Sequence, residues 1–222
     1  MAPSAAPGSP PLPSPVPVAS SNVSMPNEAE EEGTSSQAAG TERRHRGFFL
    51  RSFVGAGYRT ASESSEFGDA RISGGGGGAG LEIGGALVEN LILHGDLFYE
   101  VASNPTLKTD EGSVDLDGGK LTFVALGPGV SYYVMPVNIH FGASLLLCKM
   151  SFGTDDETFG SSDWGYGGAL RFGKDFWLGK EFSLGALGQV AFAHMKDGEN
   201  AEGESRNLNS TTATVAFSMS YH

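Results

Sequence analysis

The segment Leu91–Val101 reads LILHGDLFYEV and constrains the fold more tightly than any other stretch of the chain. Its odd positions are Leu91, Leu93, Gly95, Leu97, Tyr99 and Val101, while its even positions carry His94, Asp96 and Glu100 beside Ile92 and Phe98. Polarity alternating with period two puts one set on each face of a β-strand. On a helix of about 3.6 residues per turn the same polar groups would spread around the cylinder. The pattern recurs. Phe48–Arg59 sets Phe48, Leu50, Val54, Ala56 and Tyr58 against Arg51, Gly55, Gly57 and Arg59, and Ala79–Leu87 sets Leu81, Ile83 and Leu87 against Glu82 and two glycines. Leu121–Val134, Ile139–Phe152, Trp164–Lys174, Phe182–Met195 and Ser210–Tyr221 alternate in the same way. This predicts eight strands, each near the 9–11 residues that cross a bilayer at a tilt.

The connections carry as much information as the strands. They cover about 60–78, 88–90, 102–119, 135–138, 153–163, 177–181 and 196–209, alternating long and short. Four long loops at one end and three tight turns at the other describe an up-and-down barrel of the outer-membrane kind. Of the 26 Asp and Glu, 15 fall in the long connections, so the acidity gathers at one rim. Asp115, Asp117, Asp155, Asp156 and Glu157 form the acidic clusters of that rim. The run GGGGGAG at 74–80 has no following Lys-Ser/Thr and no helix, so it reads as a loop entry and not as a phosphate loop.

Ahead of the strands, residues 1–46 are rich in Pro, Ser, Ala and Glu and contain no aromatic residue. Such a segment buries too little apolar area to offset its chain entropy, and it is expected to be a disordered tail before a barrel domain at 47–222. Its first 20 residues lack the basic start and apolar stretch of a signal peptide. A net charge of −12 with no basic block argues against a nucleic-acid partner. A single cysteine, Cys148, excludes a disulfide framework and multi-cysteine metal sites.

An alternating barrel can turn its apolar face inward, as soluble lipocalin-like ligand carriers do, or outward toward lipid. A soluble barrel would dress its other face with Lys and Glu. Here that face is mostly Gly, Ser, Thr and Ala with scattered Arg51, Glu82, His94, Asp96, Glu100, Arg171 and Gln189. Small residues suit the narrow interior of an eight-stranded barrel, and charges of mixed sign can pair there. The outward assignment makes Leu93, Leu97, Leu145, Leu170, Val190 and Phe217 lipid-facing. Aromatics near strand ends (Phe48, Tyr58, Tyr99, Tyr132, Tyr133, Trp164, Phe176, Trp177, Phe182, Tyr221) then form interfacial girdles. Pro128, between Gly127 and Gly129, predicts a bulge or a local break.

The stretches GPGVSYYVMPVNIHFGASL (127–145) and WGYGGALRFGKDFWLGKEFSLGALG (164–188) resemble the small OmpA/OmpX-type outer-membrane β-barrels, in which a Gly-x-Gly strand ends in aromatics, turns and returns toward another Gly. The resemblance spans about 47–222. It implies a monomeric eight-stranded antiparallel barrel in the cell outer membrane of a Gram-negative envelope. It also implies contact with outer-membrane lipid and lipopolysaccharide, and insertion by the barrel assembly machinery. That machinery favours an aromatic-ended last strand, a signal carried here by Tyr221 but displaced by His222. A likeness to OmpW-like barrels implies instead a channel for small hydrophobic molecules.

Chemistry-bearing motifs are sparse. His140 and Ser144 share a strand face but stand about 13 Å apart along it, too far for a catalytic dyad. His94, Asp96 and Glu100 are likewise spread along one strand, and packing against Arg51 and Arg171 is expected in place of metal binding. Neither DLDG (115–118) nor Asp155-Asp156-Glu157 has EF-hand spacing. No catalytic residue, cofactor or metal is assigned.

Overall fold

In a computed structural model, alternation becomes wall. The structure describes residues 45–65, 68–154, 156–196 and 206–222. The expected tail up to residue 44, Asp155, and the loop acids at 66 and 197–205 lie outside them. Eleven strands follow in order: β1 (Phe48–Ser65), β2 (Gly68–Val88), β3 (Leu91–Ser103), β4 (Thr106–Thr109), β5 (Gly112–Asp115), β6 (Lys120–Val134), β7 (Ile139–Gly153), β8 (Thr158–Ser161), β9 (Gly165–Trp177), β10 (Phe182–Lys196) and β11 (Asn207–Tyr221). Eight of them form the antiparallel wall β1-β11-β10-β9-β7-β6-β3-β2, and β2 pairs with β1 to close it. The seam runs from Leu50↔Tyr221 to Glu63↔Leu208 on one side of β1, and from Phe48↔Gly85 to Ser65↔Gly68 on the other. The short β4–β5 hairpin extends β2 and β8 extends β7, both at the long-loop end.

Burial alternates residue by residue along β3, β10 and β11. Leu145 is 73% exposed and Phe217 78%, while Arg51 and Glu82 are 0% exposed. Leu93, Leu97, Leu170 and Val190 also stand on the outer wall. An exterior this apolar has no place in a lipocalin-like soluble barrel, whose greasy face surrounds its ligand.

Several local expectations change. The run at 74–80 is no loop but the middle of β2, paired with β1 from Gly55↔Gly78 to Arg59↔Gly74, so β1 and β2 form one long hairpin. Glycine is a poor strand former in general, but here close packing overrides propensity. A Cβ on Gly76 would lie 1.8 Å from the Val101 carbonyl oxygen, and one on Gly80 would lie 2.2 Å from the Phe53 ring. Pro128 leaves a gap in the β6–β7 ladder, which passes from Leu126↔Leu147 to Gly129↔Ser144 without a register shift, so the break is local and there is no bulge. Tyr133 and Trp177 do not join a girdle. Tyr133 is buried inside the barrel, and Trp177 stacks on His45 with ring centroids 5.1 Å apart.

The interior is also greasier than its small and ionic residues suggest. Phe53, Phe98, Phe123, Leu121, Leu146, Leu187, Met150 and Met195 form one buried cluster, and Phe49, Ile92 and Tyr133 a second. Cys148 is buried in the first. We expect Gly76→Ala to cost about 1–3 kcal/mol, because β2 and β3 must part to admit the methyl. Gly75→Ala, whose nearest neighbour would be a carbonyl oxygen at 3.9 Å, should stay within about 0.5 kcal/mol. Guanidinium unfolding of the two variants in the same lipid checks the contrast.

Candidate functional site

Inward parity brings Arg51 of β1, Glu82 of β2, His94 and Asp96 of β3, Arg171 and Asp175 of β9 and Gln189 of β10 onto one level of the interior. Arg51 Nη1 lies 3.1 Å from Glu82 Oε2, and its Nε donates to Ser220 Oγ at 3.1 Å. Arg51 Nη2 donates to the Tyr133 hydroxyl and, at 3.3 Å, to Asp175 Oδ2. Tyr133 in turn donates to that same carboxylate oxygen at 3.1 Å. Arg171 donates from Nε to Gln189 Oε1 at 2.6 Å, and from Nη1 to Asp96 Oδ2 at 2.9 Å and Ser144 Oγ at 3.1 Å. Glu82 joins the two halves, since its Oε1 stands 3.4 Å from Arg171 Nη1. His94 sits 3.0 Å from Ser131 Oγ and 3.3 Å from Asp96 Oδ1.

Glu100 does not belong to this group. Four residues further along β3 than Asp96, it pairs with Arg59 and accepts from Thr214 Oγ1 at 2.6 Å. Arg59 also donates to Ser210 Oγ at 2.9 Å and lies over the Phe123 ring, 3.8 Å from its centroid. Two ionic layers, separated by Phe53 and Phe98, therefore cross the barrel.

The first layer contains a set of metal-type donors. Glu82, His94 and Asp96 each offer an atom within 4.8 Å of the others. The Arg171 guanidinium already lies against both carboxylates, so the positive charge a metal would bring is supplied by protein. His140 and Ser144 turn to different partners: His140 Nδ1 faces Arg51 at 3.4 Å, while Ser144 accepts from Arg171. Asp115 accepts from Thr106 Oγ1 at 2.7 Å on the β4–β5 hairpin, and Asp117, Asp156 and Glu157 are exposed in the loops near the same end.

A third group seals the opposite end. The tight turns between β2 and β3 and between β6 and β7 place Asn90 and Asn138 at φ 65° and 54°, a left-handed region that asparagine tolerates. Both carboxamides turn to His45. Asn90 Oδ1 accepts from the His45 backbone N at 3.2 Å, and Asn138 Oδ1 lies 2.8 Å from His45 Nε2. Asn138 Nδ2 donates to the Asp175 carbonyl at 3.2 Å, which leaves Oδ1 as acceptor and puts the His45 proton on Nε2. His45 Nδ1 then accepts from His222 Nδ1 at 2.7 Å, and His222 Nε2, 3.0 Å from Ser183 Oγ, accepts from that hydroxyl. One directed chain from Ser183 to Asn138 thus uses two neutral imidazoles. Tyr133 stacks on His45 with centroids 3.7 Å apart, and Phe49 and Trp177 close the sides.

Asp175, Tyr133, His45 and His222 were not identified from sequence. Parity from Arg171 would have found Asp175, and parity within Tyr132-Tyr133 would have sent one ring inside. The two histidines lie outside any strand and carry no local signal.

A closed antiparallel barrel with an apolar outer wall and paired charges at its centre defines a transmembrane β-barrel of the outer-membrane type. In barrels of this type the short turns face the periplasm and the long loops the outside. Among solved structures, the chain is similar to Neisserial surface protein A (15% identity, 77% of this chain and 96% of that one, TM-score 0.48). It is also similar to OprG from Pseudomonas aeruginosa (12%, 80% and 98%, TM-score 0.44) and to AlkL in lipid bilayers (12%, 90% and 95%, TM-score 0.48). No protein-family model and no curated relative matches the chain.

Two outcomes follow. Arg51→Leu takes the guanidinium away from Asp175 and leaves Glu82 with Arg171 alone in a dry interior, and should cost about 3–5 kcal/mol, read as a lower denaturant midpoint. The histidine cap should weaken in acid. Burial first, and the nearby Arg51 guanidinium second among the lowering influences, hold His45 down to about 4 against the Asn138 hydrogen bond. Burial, His45 and Arg51 hold His222 down to about 2. In an opened cap both would titrate near the ordinary 6.5, so the open state binds more protons below that pH. The cap's contribution is complete above about 6.5 and declines as pH falls toward 4. Imidazole nitrogen NMR between pH 8 and 4 should show opening of the cap, and His45→Gln should flatten the accompanying loss of stability.

Proposed function

We propose that this chain is a non-enzymatic outer-membrane barrel whose interior serves stability and whose extracellular loops carry its role, as a surface-interaction or envelope-integrity protein. The observation behind this reading is that Arg51, Glu82, Tyr133, Phe49, His45 and His140 are each 0% exposed. A water-filled lumen would wet such side chains, so their dryness favours a plug over a pore. This weighs against the channel alternative for the periplasmic half of the barrel.

The partners follow from the same layout. Leu93, Leu97, Leu145, Leu170, Val190 and Phe217 would meet hydrocarbon. The acids Asp115, Asp117, Asp156 and Glu157 would face lipopolysaccharide phosphates, with divalent cations between the two sets of negative charges. Val215, Phe217 and Met219, all outward, lead to Tyr221 and suit recognition by the barrel assembly machinery. His222, next after Tyr221, is the residue used in the cap. A monomer fits a wall with no free edge among its eight barrel strands.

Planar-bilayer recording of the refolded chain at neutral pH tests the reading. No unit conductance steps are expected from the plugged barrel. Stepwise currents from the purified protein would replace it with the channel alternative.

A further inference from the structure

At the extracellular mouth the interior ends in an open cup of about 280 Å³, lined by Ile72, Leu121, Met150, Phe152, Phe159 and Leu208. Five of these belong to barrel strands and continue the inward face, and Phe159 comes from β8 above them. Leu121 and Met150 form the floor, each 3% exposed. Phe159 is 59% exposed at the rim, its ring centroid 5.9 Å from that of the inward Phe152. Apolar surface left facing water is a standing cost that a ligand can remove.

The polar groups of the cup are largely engaged. Glu63 is paired with Arg206 at 2.9 Å. Ser162 Oγ accepts from the Met150 backbone N at 3.0 Å and donates to Met195 Sδ at 3.5 Å. Ser151 and Ser161 face each other across the β7–β8 ladder. A ligand here would therefore need neither charge nor a hydrogen-bonding group. Size narrows it further: an apolar cavity of about 150 Å³ lined by Leu, Ile and Phe holds one benzene, so this cup has room for a second ring. Below the floor, Cys148, Phe123 and the Arg59–Glu100 layer are buried, which leaves no onward passage.

We infer that the cup binds small uncharged apolar molecules, of one- or two-ring hydrocarbon size, in a dead-end site open only to the outside. Binding goes beyond the proposed plugged-barrel role and does not depend on it. The test uses the full chain in lipid nanodiscs, with carbon-labelled methionine methyls and naphthalene as probe. The Met150 methyl should shift saturably, while that of Met219, on the outer wall and 51% exposed, should show only the unsaturable drift of partition into lipid.

Gly160 lines the cup, and a Cβ there would meet nothing within 4 Å. Gly160→Trp should fill the cup without disturbing the barrel and weaken the Met150 response by about tenfold or more. Retained heat-modifiable gel migration would confirm that the variant is folded, and Phe159→Ser, which removes a rim wall, should also weaken binding. The inference is overturned if Met150 does not respond, if Met150 and Met219 drift alike, or if folded Gly160→Trp binds as the parent does. Conductance, in contrast, would overturn the plugged-barrel reading and the dead end with it, whereas the saturable Met150 shift alone decides whether the cup binds.

Discussion

Hydrocarbon offers no hydrogen-bonding partner, so a sheet can lie in it only if no strand edge is left open. Everything else in this molecule is subordinate to that condition. The pairing of β1 with both β2 and β11 meets it, and closure with eight strands then fixes the bore. A bore this narrow must be filled by the wall's own inward side chains. The alternation that greases the exterior is therefore also what selects the contents.

Those contents show how charge survives in a dry space. Each guanidinium touches more than one acceptor, and Glu82 touches two guanidinium groups, so no layer depends on a single contact. Desolvating such ions costs heavily, and attraction at short range returns the cost only where geometry satisfies most of the remaining lone pairs. Planar, multidentate arginine suits the task; the inner layers use Arg51, Arg59 and Arg171 and no lysine. Phenylalanines fill the space between layers and keep water from reaching them.

Much of this was legible from sequence, and the reason is mechanical. Period two is a direct consequence of strand geometry, so which face Leu93 or His94 takes can be read without knowing any neighbour. Which partner lies opposite is another matter. Glu100 meets Arg59 and not Arg51 or Arg171 because strand stagger sets the height at which side chains face one another across the bore, and no single strand encodes that stagger. The glycine run misled for a related reason: its composition speaks of loops, while its cause is the close approach of Val101, Glu100 and Phe53 from elsewhere in the chain. His45 and His222 had no pattern to betray them.

The two histidines stand 177 positions apart and bond across the seam where the first and last strands of the barrel meet. Contacts of such long sequence separation require the largest loop to be closed, and so they belong to the end of assembly. The imidazole pair behaves like the clasp of a bracelet: the band may be fully curved before it, yet only the clasp joins the ends at the rim. A barrel arrested before that step would hold its strands in order while the floor at its turn end stayed open to water.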